Sequence, residues 1–175
     1  MKRRTLFLSS LVLLSGCTAV HSPGTRERAG RFSLCAVSPK GAEAATGRWK
    51  LVESKDLTEL TLMTPLYGIL ARITVTPEGA TLERPNKESE GAFDSAASAQ
   101  ELMQQHLGFG LPADMLSSWL SGEPWVQAPA QVADDSFTQS GWQIAVRRRK
   151  PDGSPALVTL SQSTPRQITL TLVIE

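Results

Sequence analysis

Two cysteines and two histidines are all that this 175-residue chain holds of the side chains most used for redox and metal chemistry. His21 sits in a polar stretch near the N-terminus, so any imidazole-based mechanism would rest on His106 alone. No HExxH, CxxC, phosphate-cradling loop or GxSxG is present. The chain therefore reads as no enzyme: no catalytic residue, no metal ligand and no cofactor is expected. Charge of one sign is also lacking, because 18 Lys and Arg face 17 Asp and Glu. This near-balance gives no electrostatic case for nucleic acid or for a strongly acidic partner. Long hydrophobic runs are missing too. The longest, Leu6 to Leu14, is interrupted by Ser9 and Ser10 and falls well short of the ~20 residues a membrane-spanning helix needs. Neither repeats nor low-complexity tracts occur.

What is there begins at the N-terminus. Met1-Lys2-Arg3-Arg4 followed by that short apolar run is the layout of a secretory signal. Leu14-Ser15-Gly16-Cys17 resembles the bacterial lipobox, in which two small residues fit a peptidase cleft and the cysteine thiol takes a diacylglycerol. Residues 1–16 are thus expected to be a signal peptide, with Cys17 the lipid-bearing first residue of the mature chain. Acylation of Cys17 would leave Cys35 without a partner, so no internal disulfide is expected even in an oxidising envelope. Residues 17–29 are polar, with Pro23 and Gly24, and read as a lipidated flexible tether. Residues 30–175 are enough for one domain with a real core.

Within that domain the apolar pattern changes period twice. Phe32, Leu34 and Ala36 alternate with Arg31, Ser33 and Cys35, as in a strand with one buried face. Further strands read at Arg48 to Val52, Leu57 to Met63, Ile69 to Thr76 and Ala80 to Arg84, with a Thr76-Pro77-Glu78-Gly79 turn. Ser98 and Glu101 then form a possible capping box, and Ala99, Leu102, Met103, His106 and Leu107 fall on a helical stripe ending at Gly108. A second helix is expected from Pro112 to Gly122, with Met115, Leu116, Trp119 and Leu120 on one face. Strands resume at Trp142, Ile144 and Val146, and at Ile168, Leu170, Leu172 and Ile174. Strands, two helices and more strands without a βαβ rhythm argue for an α+β fold, an antiparallel sheet with helices on one face. Periodicity leaves open whether the sheet and helices enclose a packed core or an apolar cavity.

Three polar features are expected to be structural or solvated rather than chemical sites. On a helix stripe His106 is a packed or partly exposed side chain. Adjacent Asp134 and Asp135 in a polar loop point apart into water. Arg147 to Lys150, followed by Pro151-Asp152-Gly153, read as a strand end and turn, with docking to an acidic partner or headgroup as the alternative. Cys35 lies in a strand without a nearby histidine and is expected to be structural.

Two stretches resemble the LolB family, outer-membrane receptors that accept lipoproteins from the periplasmic carrier LolA. Leu60 to Gly68 is similar to the family's strand running into a Pro-Leu-Gly loop, with Tyr67 inserted before the glycine. Leu111 to Pro124 is close to its Pro-x-x-x-Leu-x-x-Trp-x-x-Gly-x-Pro helix. Gly30-Arg31-Phe32, Gly47 to Leu51 and Gly141-Trp142-Gln143 match other strands in the right order. The chain departs from the family in lacking an amphipathic helix before the first strand and a Trp-containing C-terminal tail.

The resemblance implies a curved antiparallel sheet, an open and incomplete β-barrel, with two helices covering an apolar cavity. It implies Phe32, Leu34, Trp49, Leu51, Leu60, Leu62, Ile73, Leu116 and Trp119 as candidates for the lining. It also implies that the Pro65-Leu66-Tyr67-Gly68 loop delivers acyl chains into the membrane, a role suited to an exposed Leu-Tyr pair. The partners it implies are a LolA-type carrier, acylated lipoproteins as cargo and the outer membrane through the lipid anchor, for a monomer facing the periplasm. Thr18 after the cysteine agrees, since the Asp that retains lipoproteins in the inner membrane is absent there. Physics supplies the need for such a receptor. Three acyl chains hold on the order of 45 methylenes, and at roughly 0.8 kcal/mol each their exposure to water would cost tens of kcal/mol. A structural outer-membrane lipoprotein that docks on an envelope assembly and binds no lipid is the alternative, and a filled core would be its mark.

Overall fold

The computed structural model describes residues 24–38, 41–85, 93–164 and 166–175. The expected signal peptide, the expected lipidation site Cys17 and most of the expected tether lie outside the described residues. Among the described residues eleven strands form one sheet in the order β6-β5-β4-β3-β2-β1-β11-β10-β9-β8-β7. They are β1 Arg26–Ser38, β2 Gly41–Ser54, β3 Leu57–Thr64, β4 Gly68–Thr76, β5 Gly79–Glu83, β6 Phe93–Ala96, β7 Ala130–Ala133, β8 Ser136–Gln139, β9 Trp142–Arg149, β10 Pro155–Gln162 and β11 Gln167–Ile174. All pairings are antiparallel. The first and last strands pair at the centre, Phe32 opposite Leu172 and Leu34 opposite Leu170. The edges, β6 and β7, do not pair with each other, so the sheet is an open, incomplete barrel.

The alternation read from the sequence fixes which face turns inward. Phe32, Ala36, Trp49, Leu51, Leu60 and Ile73 are buried on the concave face together with Ile144, Val158, Leu160, Ile168 and Leu172. Arg31, Ser33 and Cys35 stand on the convex face. Curvature needs close approach at some rungs: a Cβ at Gly47 would overlap the Met63 carbonyl oxygen and the Phe32 ring. Glycine removes that obstacle where β2 runs close to β3 and the Phe32 ring of β1.

The chain passes from edge β6 to edge β7 through two helices, α1 Ala99–Leu107 and α2 Leu116–Leu120. Ser98 caps α1, its Oγ accepting from the Glu101 N–H at 3.2 Å, and Gly108 ends it in the left-handed region at φ 74°. Leu102 and Met103 on its buried stripe face the core. The second helix is shorter than its periodicity predicts. Met115 N–H donates to the Pro112 carbonyl and Leu116 N–H to that of Ala113, so residues 112–115 form tight turns ahead of the helix. Its end is a Schellman motif, with the Glu123 N–H on Ser118 O, the Gly122 N–H on Trp119 O, and Gly122 at φ 77°.

β1 begins at Arg26, inside the stretch that polarity assigns to a tether. The register there is regular, Arg26 opposite Glu53 and Arg28 opposite Leu51. Arg28 also donates to the Ser117 carbonyl at 3.0 Å and to Ser121 Oγ at 2.9 Å, which fastens the strand's start to α2. Four further strands, β6, β7, β8 and β10, escaped the periodicity, being short or, in β10, opened by a proline and offset by a bulge near Leu157.

Candidate functional site

Between the concave face and the helices lies a cavity of about 30 Å³ lined only by hydrophobic side chains. Phe32 and Leu34 come from β1, Trp49 from β2, Leu60 and Leu62 from β3, and Leu170 and Leu172 from β11. Met103 of α1, Phe109 and Leu111 of the connection, and Leu116 of α2 close it from above. Thus Phe32, Leu34, Trp49, Leu60, Leu62 and Leu116 reach the cavity, whereas Leu51, Ile73 and Trp119 are fully buried in the core outside it. Met103, Leu170 and Leu172 also line it; their periodicity marks them as inward-facing without separating lining from core. Phe109 and Leu111 lie in a non-periodic connection that gives no such signal.

The space is small. Ligand pockets for small molecules run to roughly 300–1,000 Å³, so even one acyl chain requires the helical cover to lift. Polar bonds at both ends of that cover limit how it can move. Toward α1, Asp94 of β6 receives Arg84 at 2.6 Å and His106 Nε2 at 3.2 Å. His106 therefore ties the last turn of α1 to an edge strand. Past α2, buried Gln139 accepts from Trp119 Nε1 at 2.8 Å and from the Trp125 N–H at 2.9 Å, while its Nε2 donates to the carbonyls of Trp125 and Ala128. Arg28 holds the middle, and Ser117 Oγ meets Glu53 at 2.6 Å beside it. Burial, with Arg26 nearby, lowers the Arg28 pKa against the opposing pull of Glu53. Trp142 Nε1 donates to the Gly110 carbonyl at 3.0 Å, and its ring meets Phe109 edge to face at 6.3 Å.

The β3–β4 hairpin carries the second feature. Thr64 pairs with Gly68, and Pro65, Leu66 and Tyr67 form the tip between them. Leu66 is 86% and Tyr67 66% exposed, the former the larger outlier because a leucine normally gains by burial. Gly68 at φ 65° and the Tyr67 N–H donating to Thr64 Oγ1 shape the turn.

Elsewhere the surface is ordinary. Asp134 and Asp135 occupy the exposed β7–β8 turn, and Arg149 reaches Asp135 at 3.5 Å. Arg147 to Arg149 end β9 and Lys150 leads into a turn, as the sequence suggests. Cys35 is an exposed free thiol. Among the described residues no group of three or more His, Cys, Asp or Glu could hold a metal, and no helix is long and apolar enough to cross a membrane.

Residues 26–175 match the family model described as outer membrane lipoprotein LolB. The chain is 32% identical over 166 residues to the outer-membrane lipoprotein LolB of Cupriavidus metallidurans, covering 91% of this chain and 78% of that protein. The LolB of Ralstonia nicotianae is 33% identical over 159 residues, 81% of this chain and 74% of that protein. The LolB of Bordetella petrii is 30% identical over 177 residues, 93% and 86% of the two chains.

Proposed function

We propose that this chain, which belongs to the LolB family of outer membrane lipoproteins, accepts lipoproteins from a LolA-type periplasmic carrier and inserts them into the outer membrane. Membership puts it in lipoprotein sorting at the outer membrane. The handover, the place of the acyl chains and the delivering loop are the finer parts of the proposal.

The observation that carries it is the wholly apolar cavity beneath the two helices, with Leu66 standing in water at a hairpin tip. Acyl chains leave the carrier only for surroundings that solvate them as well, and a hydrocarbon-lined space without polar side chains does so. Leu66 and Tyr67 enter the headgroup boundary and open a path from cavity to bilayer. The anchor on Cys17 raises the local concentration of the receptor beside its membrane without forming part of the cavity. Nothing in this scheme needs a nucleotide; graded affinity suffices.

The cavity's small volume also suits a docking lipoprotein that binds no lipid. Uptake separates the two, because only a receptor opens for acyl chains. For the loop, the test is Leu66→Glu in a two-stage assay. Chains should pass from carrier to variant as in wild type, while transfer into liposomes falls at least tenfold. Equal insertion by both proteins would remove the loop from the mechanism.

A further inference from the structure

The cavity's partly exposed lining residues, Leu34 and Leu62, mark the side on which it opens, since Trp49, Leu60 and Leu116 are at most 2% exposed. Leu34 pairs with Ala45 on one side and Leu170 on the other. Two residues further out, about 7 Å along the strands, the next inward-facing rung is Glu43, Ala36 and Ile168. Just before β11 stands Arg166, with the same facing as Ile168 and Leu170. Its Nη2 donates to Glu43 Oε2 at 2.9 Å, so the side chain spans β1 at the mouth. A Cβ at Gly108 would come within 3.2 Å of Nη1, which puts the guanidinium against the C-terminal end of α1.

This arginine is only 20% exposed, yet its Nε is buried without a hydrogen-bond partner. Arg72 and Arg84 share an orphaned Nε, but each is held by a half-covered carboxylate, Glu83 at 28% and Asp94 at 37% exposure. Glu43 is 77% exposed, so its pair is a surface one of little worth that readily parts.

We infer that Arg166 forms the polar end of the binding site and donates to the carbonyl oxygens of the glyceryl esters beside the acyl chains of the cargo. The inference rests on the acyl-chain reading above. Chains drawn into the cavity leave their esters one rung beyond Leu34. These carbonyls are acceptors that lose water at the mouth, and each weakens binding if left unpaired. A guanidinium brings a planar set of donors to that place and lets Glu43 swing out.

Phospholipids carry the same esters beside a phosphate, so the test uses three probes against the full-length lipidated protein in detergent below the probes' micellar concentrations. They are a triacylated lipopeptide, its analogue with alkyl ethers in place of the glyceryl esters, and phosphatidylethanolamine. Wild type should bind the ester lipopeptide about tenfold more tightly than the ether. Arg166→Met should lose that preference while binding the ether unchanged, Arg166→Lys should keep part of it, and Glu43→Gln should keep all of it. A preference that survives Arg166→Met overturns the inference, and so does an equal loss for ester and ether, which would make Arg166 a structural latch. Arg166-dependent binding of phosphatidylethanolamine without the lipopeptide overturns the cargo as the source. Failure of wild type to bind any probe sinks the acyl-chain reading itself, a result separable from the others.

Discussion

At the scale of single residues, the informative side chains are those that break the rule of their type. Leu66 is a leucine in water, and its position was legible because turn formers flank it in Pro65-Leu66-Tyr67-Gly68. Gln139 is the opposite case, a polar side chain 1% exposed, and nothing in Thr138-Gln139-Ser140 announces it. Its burial follows from tertiary demand, since Trp119, Trp125 and Ala128 present donors and acceptors that one carboxamide meets together. Replacing it with leucine leaves these groups unpaired. Gln139→Leu should cost roughly 3 kcal/mol of stability, read as a lower urea midpoint with unchanged slope. A loss under 1 kcal/mol would mean that water replaces the amide freely.

Among elements, the helical cover matters most. Its first half was readable: Ser98 and Glu101 at cap spacing and Gly108 as a stop define α1 as observed. Its second half was not. The Pro112 to Gly122 stretch has helical periodicity, but the first four residues are drawn into tight turns that bury Leu111, Pro112 and Ala113. The short strands β6 to β8 also eluded the pattern, because four residues hold too few alternations to separate a strand from a loop. Phe109 sits between the helices and plugs the cavity against Trp142. Phe109→Ala should destabilise the fold by about 3 kcal/mol while speeding uptake of a triacylated lipopeptide several-fold, measured by stopped-flow tryptophan fluorescence. Slower uptake in a folded variant would show that the ring guides chains rather than blocks them.

For the whole molecule, the sequence carried the class of fold and the order of its parts. An α+β chain with strands on both sides of two helices folds into a sheet whose edges, β6 and β7, stay unpaired and are joined by the helical connection. What alternation could not decide was whether the interior is filled. A cavity of about 30 Å³ is near the size of a single water, so the resting molecule lies between a packed core and an open receptor. Which residues flank it depends on how strands coil past Gly47, a tertiary matter that leaves Leu51 and Ile73 in the core and brings Leu170 and Leu172 to the cavity. The start of β1 at Arg26 was hidden for a similar reason, since Arg26, Glu27 and Arg28 look like linker until Ser117 and Ser121 supply partners.

The central claim is that this domain takes acyl chains from a carrier. The most direct measurement incubates a LolA–lipoprotein complex with a form that lacks residues 1–17 and follows the lipoprotein by size-exclusion chromatography. The account predicts that most of the lipoprotein moves to this anchor-free form without nucleotide; lipoprotein that stays with the carrier at every receptor concentration would contradict it.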